Sequence, residues 1–189
     1  MKAIILAGGY GTRLYPLTET VAKPFISVAG KSIIDHIIDK LINLHIDDIF
    51  VVTNNKFYRD FVQWKEINTT TNITIINDMT TSNEDRLGAI GDIQYAIDYA
   101  KIDDDVLIIG GDNLFEDNLI NFIDFFKMNG SCILLNDVKS LELAKLYGNV
   151  TVDEGNRITN FVEKPENPES TLAATLIYAI KREHIPLIR

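Results

Sequence analysis

The chain has 189 residues, enough for one substantial core or a tight two-part domain. Apolar residues make up 46%, charged residues 24%, and the net charge is −9. This is ordinary globular composition, and the acidic balance disfavours nucleic acid as a partner, because phosphate binding rests on Lys and Arg. Cys132 is the only cysteine, so neither a disulfide framework nor a multi-cysteine metal site is expected. No apolar run approaches the roughly 18 residues that would suggest a membrane span. The N-terminus runs straight into a strand pattern without room for a signal peptide, and a cytoplasmic location is expected.

In chain order, Lys2–Ala7 reads as a buried strand. Ser32 can cap a helix, with Asp35 as a weaker capping-box partner. Ile33, Ile34, Ile37, Ile38, Leu41 and Leu44 follow at helical spacing. Asp48–Thr53 is a second strand, and Phe57–Glu66 a helix with Phe57, Phe61 and Trp64 on one side. A short strand at Ile73–Ile76 precedes a helix over Asp85–Lys101, with Ile90, Ile93, Ile97 and Ala100 in phase. Val106–Ile109 is an apolar strand ending at Gly110-Gly111-Asp112. A helix near Asn118–Lys127 follows, its Phe122, Phe125 and Phe126 expected toward the core. Next come a strand at Cys132–Leu135 and a short helix at Leu141–Leu146. Asn149–Val152 and Arg157–Val162 read as a hairpin, and Leu172–Ile180 as the last strand. The alternation predicts a three-layer α/β/α fold, its sheet mostly parallel at the start, with ligands outside the carboxyl ends of the strands. One domain over residues 1–189 is expected.

The first strand ends in Gly8-Gly9-Tyr10-Gly11-Thr12-Arg13, and Lys23-Pro24 follows. Glycines without Cβ atoms let backbone N–H groups close on phosphate oxygens, and the two cations add positive charge there. A dinucleotide fingerprint fails, because Leu14 stands where the third glycine should be and Pro16 opposes an early helix. Gly30-Lys31-Ser32 imitates the end of a P-loop, but Phe25 occupies the place of its first glycine. Asp112 is a hard-oxygen donor suited to Mg²⁺, or else the cap of the next helix. His36, His45 and His184 have no partner at ligand spacing and read as ordinary surface or core residues. No nucleophile elbow and no paired-carboxylate signature for hydrolysis is present.

The ordered run G-G-x-G-T-R-L-x-P-L-T followed by K-P resembles the sugar-1-phosphate nucleotidyltransferases, the glucose-1-phosphate thymidylyl- and uridylyltransferases. Gly110-Gly111-Asp112-Asn113 resembles that family's G-D-N segment, and Glu163-Lys164-Pro165 its E-K-P segment. The resemblance implies a Rossmann-like nucleotide-diphospho-sugar transferase fold with a mostly parallel mixed sheet. It implies transfer of a nucleoside monophosphate from a nucleoside triphosphate, dTTP or UTP, to a sugar 1-phosphate, releasing pyrophosphate. Arg13, Lys23 and Lys164 are then the catalytic cations, for the pyrophosphate, the α-phosphate and the sugar phosphate respectively. The attacking oxygen is already anionic, so no general base is required.

Implied for the nucleotide are Leu6, Ala7, Gly8, Gly9, Gly11, Thr12, Leu87 and Gly88. For the sugar phosphate they are Tyr147, Gly148, Glu163, Lys164 and Thr175, and Asp112 is the implied Mg²⁺ ligand. Leu87-Gly88 also fits an ordinary loop glycine, and Glu163-Lys164 an ordinary solvated pair. Asn77 or Asn83 could read the base edge.

Two departures stand out. Leu176 occupies a place where relatives often have glycine, which would bring a side chain toward the sugar. Relatives also continue with a second metal-binding aspartate, so the chain is expected to lack the family's C-terminal part. Two alternatives remain open: a cytidylyltransferase for choline phosphate or another alcohol phosphate, and a noncatalytic nucleotide- or sugar-phosphate-binding module. A homo-oligomer fits the family; a nucleic-acid or membrane partner does not.

Overall fold

The computed structural model describes residues 1–68 and 71–188. The backbone clusters into two compact units, one of Met1–Cys132 with Tyr178–Arg189 and one of Ile133–Ile177.

In the larger unit, β1 (Lys2–Ala7) leads through the glycine loop and three single 3₁₀ turns. A short hairpin of β2 (Ser27–Val28) and β3 (Lys31–Ser32) follows. Then come α1 (Ile33–Asn43), β4 (Asp48–Thr53), α2 (Tyr58–Ile67), β5 (Asn72–Asn77), α3 (Gly88–Ala100), β6 (Val106–Gly110) and α4 (Ile120–Asn129). The long strands run parallel in the order β5-β4-β1-β6, with Ile4 paired to both Phe50 and Ile108. Parallel strands need a crossover between each pair, and α1, α2 and α3 supply them. β1, β4 and β6 are almost wholly buried, which is why they read as unbroken apolar runs.

The N-cap of α1 is as expected: Ser32 Oγ accepts the Asp35 N–H at 3.2 Å. Its buried face is Ile33, Ile34, Ile37, Ile38 and Leu41. Phe61 of α2 packs at a tilt on Phe25 with ring centroids 4.4 Å apart, and Trp64 closes the cluster while donating to Asp35 Oδ1 at 2.8 Å. Gly30-Lys31-Ser32 lies in the β2–β3 hairpin. Ala29 and Gly30 both have positive φ there, the backbone of a two-residue type I′ turn.

Several details differ from the sequence reading. α3 starts at Gly88 rather than Asp85, because the Asp85 carboxylate accepts the N–H groups of Thr81 and Ser82 and closes a turn instead. Its inward face is Asp92, Ile93, Ala96 and Ile97, whereas Ile90 is exposed. α4 starts at Ile120, after Leu119 in left-handed backbone, and turns Phe122 and Phe126 inward but Phe125 outward.

In the smaller unit, β7 (Cys132–Asp137) begins at the boundary and is followed by α5 (Leu141–Ala144), β8 (Gly148–Val152), β9 (Ile158–Glu163) and β10 (Leu172–Ile180). β8 pairs antiparallel with β9 and β10, and β7 pairs with β10. The β8–β9 turn is closed by Asp153 Oδ1, which accepts the N–H groups of Gly155 and Arg157 at 2.9 Å each. Asn149 ties the strands together, donating to the Ser170 carbonyl at 2.8 Å and accepting from Glu169 N–H at 3.1 Å. No helix among the described residues is long and apolar enough to cross a membrane.

Candidate functional site

The glycine loop leaves the carboxyl end of β1, and each glycine serves a different purpose. Gly8 is pinned: its carbonyl accepts Asn54 Nδ2 at 3.0 Å, and a Cβ there would lie 2.7 Å from Asp92 Oδ2 and 2.9 Å from Asp78 Oδ2. Gly9 is exposed, with open space where a Cβ would stand. Gly11 has φ +63°, and its carbonyl accepts the buried Thr18 hydroxyl at 2.7 Å. The loop is thus held from below and open above, the form a phosphate cradle requires.

Thr12 and Arg13 lie in the exposed single turn that follows. The Arg13 guanidinium has no ion pair or hydrogen bond among the described residues. Lys23 begins the third 3₁₀ turn, with Pro24 buried beside it.

β6 brings Asp112 to the same end of the sheet. Gly111 N–H donates to the Leu6 carbonyl at 2.7 Å, and a Cβ on Gly111 would meet that oxygen at 2.8 Å and Pro24 at 3.2 Å. This close approach fixes Asp112 beside the end of β1. Lys23 Nζ forms an ion pair with Asp112 Oδ2. Leu6, Ala7, Gly8, Gly9, Gly11, Thr12, Arg13, Lys23 and Asp112 are therefore brought together at the carboxyl ends of β1 and β6.

Leu87 and Gly88 open α3 and are exposed, Gly88 with φ +75°. Asn77 is committed locally: Nδ2 donates to Asn55 Oδ1 and Oδ1 accepts Met79 N–H, both at 2.9 Å. Asn83 Oδ1 accepts Arg86 Nη1 at 2.7 Å.

Two buried carboxyls, unread from sequence, lie under the loop. Asp78 is 4% and Asp92 6% exposed. Burial, with Asp78 beside it, pushes Asp92 up to about 7; burial also raises Asp78. The available signal was an aspartate on the apolar face of α3.

In the smaller unit, Gly148 opens β8 opposite Glu163 of β9. A Cβ on Gly148 would lie 2.8 Å from the Phe161 ring and 3.1 Å from Glu163 Oε2, so only glycine lets those side chains fold over this backbone. Lys164 N–H donates to the Tyr147 carbonyl at 3.0 Å, and Lys164 Nζ stands 3.3 Å from Glu163 Oε1. Tyr147, Gly148, Glu163 and Lys164 thus form one cluster. Thr175 is placed differently, on β10, donating to the Leu134 carbonyl at 2.7 Å. Leu176 has φ +41°, so the backbone keeps a conformation that favours glycine although leucine is present.

Asp112 fits a divalent cation on its donor chemistry. It is a hard carboxylate, partly exposed, and the lysine ammonium shows that it accepts a cation. Among the described residues no three His, Cys, Asp or Glu side chains form a protein-only cage. An ion on Asp112 would complete its shell with water and substrate phosphates, which suits Mg²⁺.

Comparison with known proteins agrees with this geometry. The sequence pattern of the nucleotidyl transferase family matches residues 2–188. The bifunctional protein GlmU of Methanocaldococcus jannaschii is 36% identical over 188 residues, covering 100% of this chain and 42% of that protein. A glucose-1-phosphate adenylyltransferase of Lachnospira eligens is 32% identical, covering 94% of this chain and 45% of that protein. The chain thus spans less than half the length of these curated relatives. A Bacillus anthracis structure described as a glucose-1-phosphate thymidylyltransferase aligns over 100% of this chain and 76% of its own, with TM-score 0.85 and 27% identity. A UDP-glucose pyrophosphorylase structure aligns over 99% of this chain and 78% of its own with TM-score 0.82, and at 18% identity it speaks for the fold. The fold is the expected Rossmann-like α/β/α architecture with a mostly parallel mixed sheet. By the match across almost its whole length, the chain belongs to the nucleotidyl transferase family.

Proposed function

We propose that this chain transfers a nucleoside monophosphate from a nucleoside triphosphate to a sugar 1-phosphate, giving a nucleotide sugar and pyrophosphate. One observation carries the reading: the open glycine loop, Lys23 and Asp112 converge at the carboxyl ends of adjacent parallel strands, held there by the Gly111–Leu6 hydrogen bond. We read residues 1–189 as one nucleotidyltransferase domain, in keeping with the family match over residues 2–188.

In this reading an oxygen of the sugar phosphate attacks the α-phosphorus. The new P–O bond forms as the α–β bridging bond breaks, and the electron pair leaves with pyrophosphate. The attacking oxygen carries its negative charge already, so no side chain needs to remove a proton. The protein's task is positioning and charge stabilisation. Backbone N–H groups of the Gly8–Thr12 loop bind the phosphates. Arg13, without a partner among the described residues, takes the leaving pyrophosphate. Lys23 neutralises charge growing at the α-phosphate. Leu87 and Gly88 lie against the base. Tyr147, Gly148, Glu163 and Thr175 recognise the sugar, and Lys164 holds its phosphate. Mg²⁺, held by Asp112, would supply electrostatic stabilisation of the phosphate oxygens.

dTTP or UTP is the donor we propose, a choice supported by the likeness to a protein described as a thymidylyltransferase. A cytoplasmic setting and a homo-oligomer belong to the same proposal. The test is pyrophosphate release with Mg²⁺, using dTTP, UTP, CTP, ATP and GTP against glucose 1-phosphate and choline phosphate. Release with dTTP or UTP and the sugar phosphate is expected. Release only with CTP and choline phosphate would favour the alcohol-phosphate reading that Leu176 invites. Nucleotide binding without turnover would favour a noncatalytic module.

A further inference from the structure

The strongest unexplained feature is the pair of carboxyls beneath the glycine loop. Asp78 follows β5 and Asp92 lies one turn into α3, yet their side chains hydrogen-bond to one another. Both are more than nine-tenths buried, and one oxygen of each fills the space that a Cβ on Gly8 would need, 2.7 Å and 2.9 Å from its position.

Their surroundings are unequal. Asp78 Oδ1 accepts two hydrogen bonds from Thr80, from its N–H and its hydroxyl, each at 2.7 Å. Asp92 Oδ1 is buried with no hydrogen-bond partner among the described residues. Donors stabilise a carboxylate, and their absence stabilises the neutral acid. Asp78 is therefore the anion, and Asp92 the acid that donates its proton to it. The charged groups acting on the pair add to the difficulty of ionising both. Asp85 faces Asp78, and the Tyr10 phenol is itself pushed up by burial and by Asp78, Asp85 and Glu84. From the β4 side the neighbours are the neutral Thr53 and Asn54.

The pair is wired to the loop at two points and to the start of α3 at a third. It occupies the space beside Gly8 that any side chain there would need. Tyr10 reaches it through a 3.2 Å hydroxyl contact with Thr80. Asp92 sits on the helix that Leu87 and Gly88 open.

We propose that Asp78 and Asp92 share one proton and that this proton seats the Gly8–Gly11 loop for nucleotide, making the two aspartates positioning residues for the site. Loss of the proton places two anions in one buried space. They must separate or admit water, and either movement shifts Gly8 against the first turn of α3. Nucleotide affinity accordingly falls as pH rises through neutrality. The part concerning nucleotide rests on the function proposed above; the part concerning the loop does not.

The experiment has two arms on the full chain. Carbon-13 NMR follows the Asp78 and Asp92 carboxyls and nitrogen-15 NMR the Gly8, Gly9 and Gly11 amides, from about pH 6 to about pH 8.5. Calorimetry over the same range measures binding of UDP-glucose, dTDP-glucose and ADP-glucose, whose diphosphate diesters do not titrate there. The expected result is one shared midpoint for carboxyls and amides, with affinity weakening about tenfold or more across the range. Asp92→Asn keeps a donor facing Asp78, so it should retain the low-pH affinity and lose the pH dependence. Carboxyls that titrate in the ordinary acidic range, still amides, or a pH-independent affinity in the unsubstituted chain would each overturn the inference. Moving amides with no binding of any probe would uphold the hold on the loop and overturn the sugar-nucleotide reading. The unsubstituted chain carries both arms should Asp92→Asn fail to fold.

Discussion

Arg13 lies two residues after the left-handed Gly11 and has no partner among the described residues to lose. Its removal should therefore leave the fold alone and act on chemistry. Arg13→Ala is expected to lower turnover by about 10²–10³, the scale of one aimed charge donor, with unchanged thermal stability. A rate within about twofold of the unsubstituted chain would remove that role. Leu176 makes the opposite case, a residue whose backbone cost is structural. A non-glycine residue in left-handed backbone costs roughly 1–2 kcal/mol. Leu176→Gly removes that strain and should melt no lower than the parent despite losing a half-buried side chain. Leu176→Ala keeps the strain and loses the packing, so it should melt lower. A thermal scan of both variants separates the two contributions.

At the scale of elements, periodicity carried the sequence reading wherever burial was one-sided. α1 is the clearest example: its apolar stripe and Ser32 cap both stand as expected. Ser32→Ala should cost about 1 kcal/mol, seen as a shift in urea midpoint at constant slope. The β2–β3 hairpin went unread because Ala29 is an unusual residue for a left-handed turn position, and the strands are two residues long. The start of α3 was misplaced because Asp85 closes a turn back onto the N–H groups of Thr81 and Ser82, and Gly88, with φ +75°, breaks any helix begun before it. The motif loops were legible because their glycines announce backbone that must come close to something. Asp78 and Asp92 were not. Two residues fourteen positions apart reveal a shared environment only when β5 and α3 pack beneath the loop. Likewise, nothing in the sequence of Asn54 foretold its grip on the Gly8 carbonyl.

For the molecule as a whole, the pair shapes stability against pH. The folded-state value of Asp92 is raised from 3.8 to about 7. Between these values the folded chain holds a proton that the unfolded chain has released. Stability therefore falls as pH rises through that window, by up to about 1.4 kcal/mol per pH unit, and levels off above it. Asp137 has the opposite sign. Hydrogen bonds from Lys139 and Thr171 bring it down to about 2, so its contribution is present above its usual value and lost as pH falls toward 2. Lowered Asp48 and Asp104 act in the same direction as Asp137. Urea unfolding across pH should place the maximum on the acid side of neutrality. Asp92→Asn should flatten the alkaline limb and leave the acid limb in place.

β1 is paired on both edges, to β4 and to β6, and Ala3, Ile4 and Ile5 have no exposed surface. The glycine loop is the direct continuation of that strand. Hydrogen–deuterium exchange should therefore change by orders of magnitude within a few residues. Amides of β1 should exchange only when the whole unit unfolds, whereas the exposed Gly9 amide should exchange within local fluctuations. The most pliable backbone of the site thus grows from the last strand to let go, so fraying of helices at the periphery leaves the anchor of the loop in place.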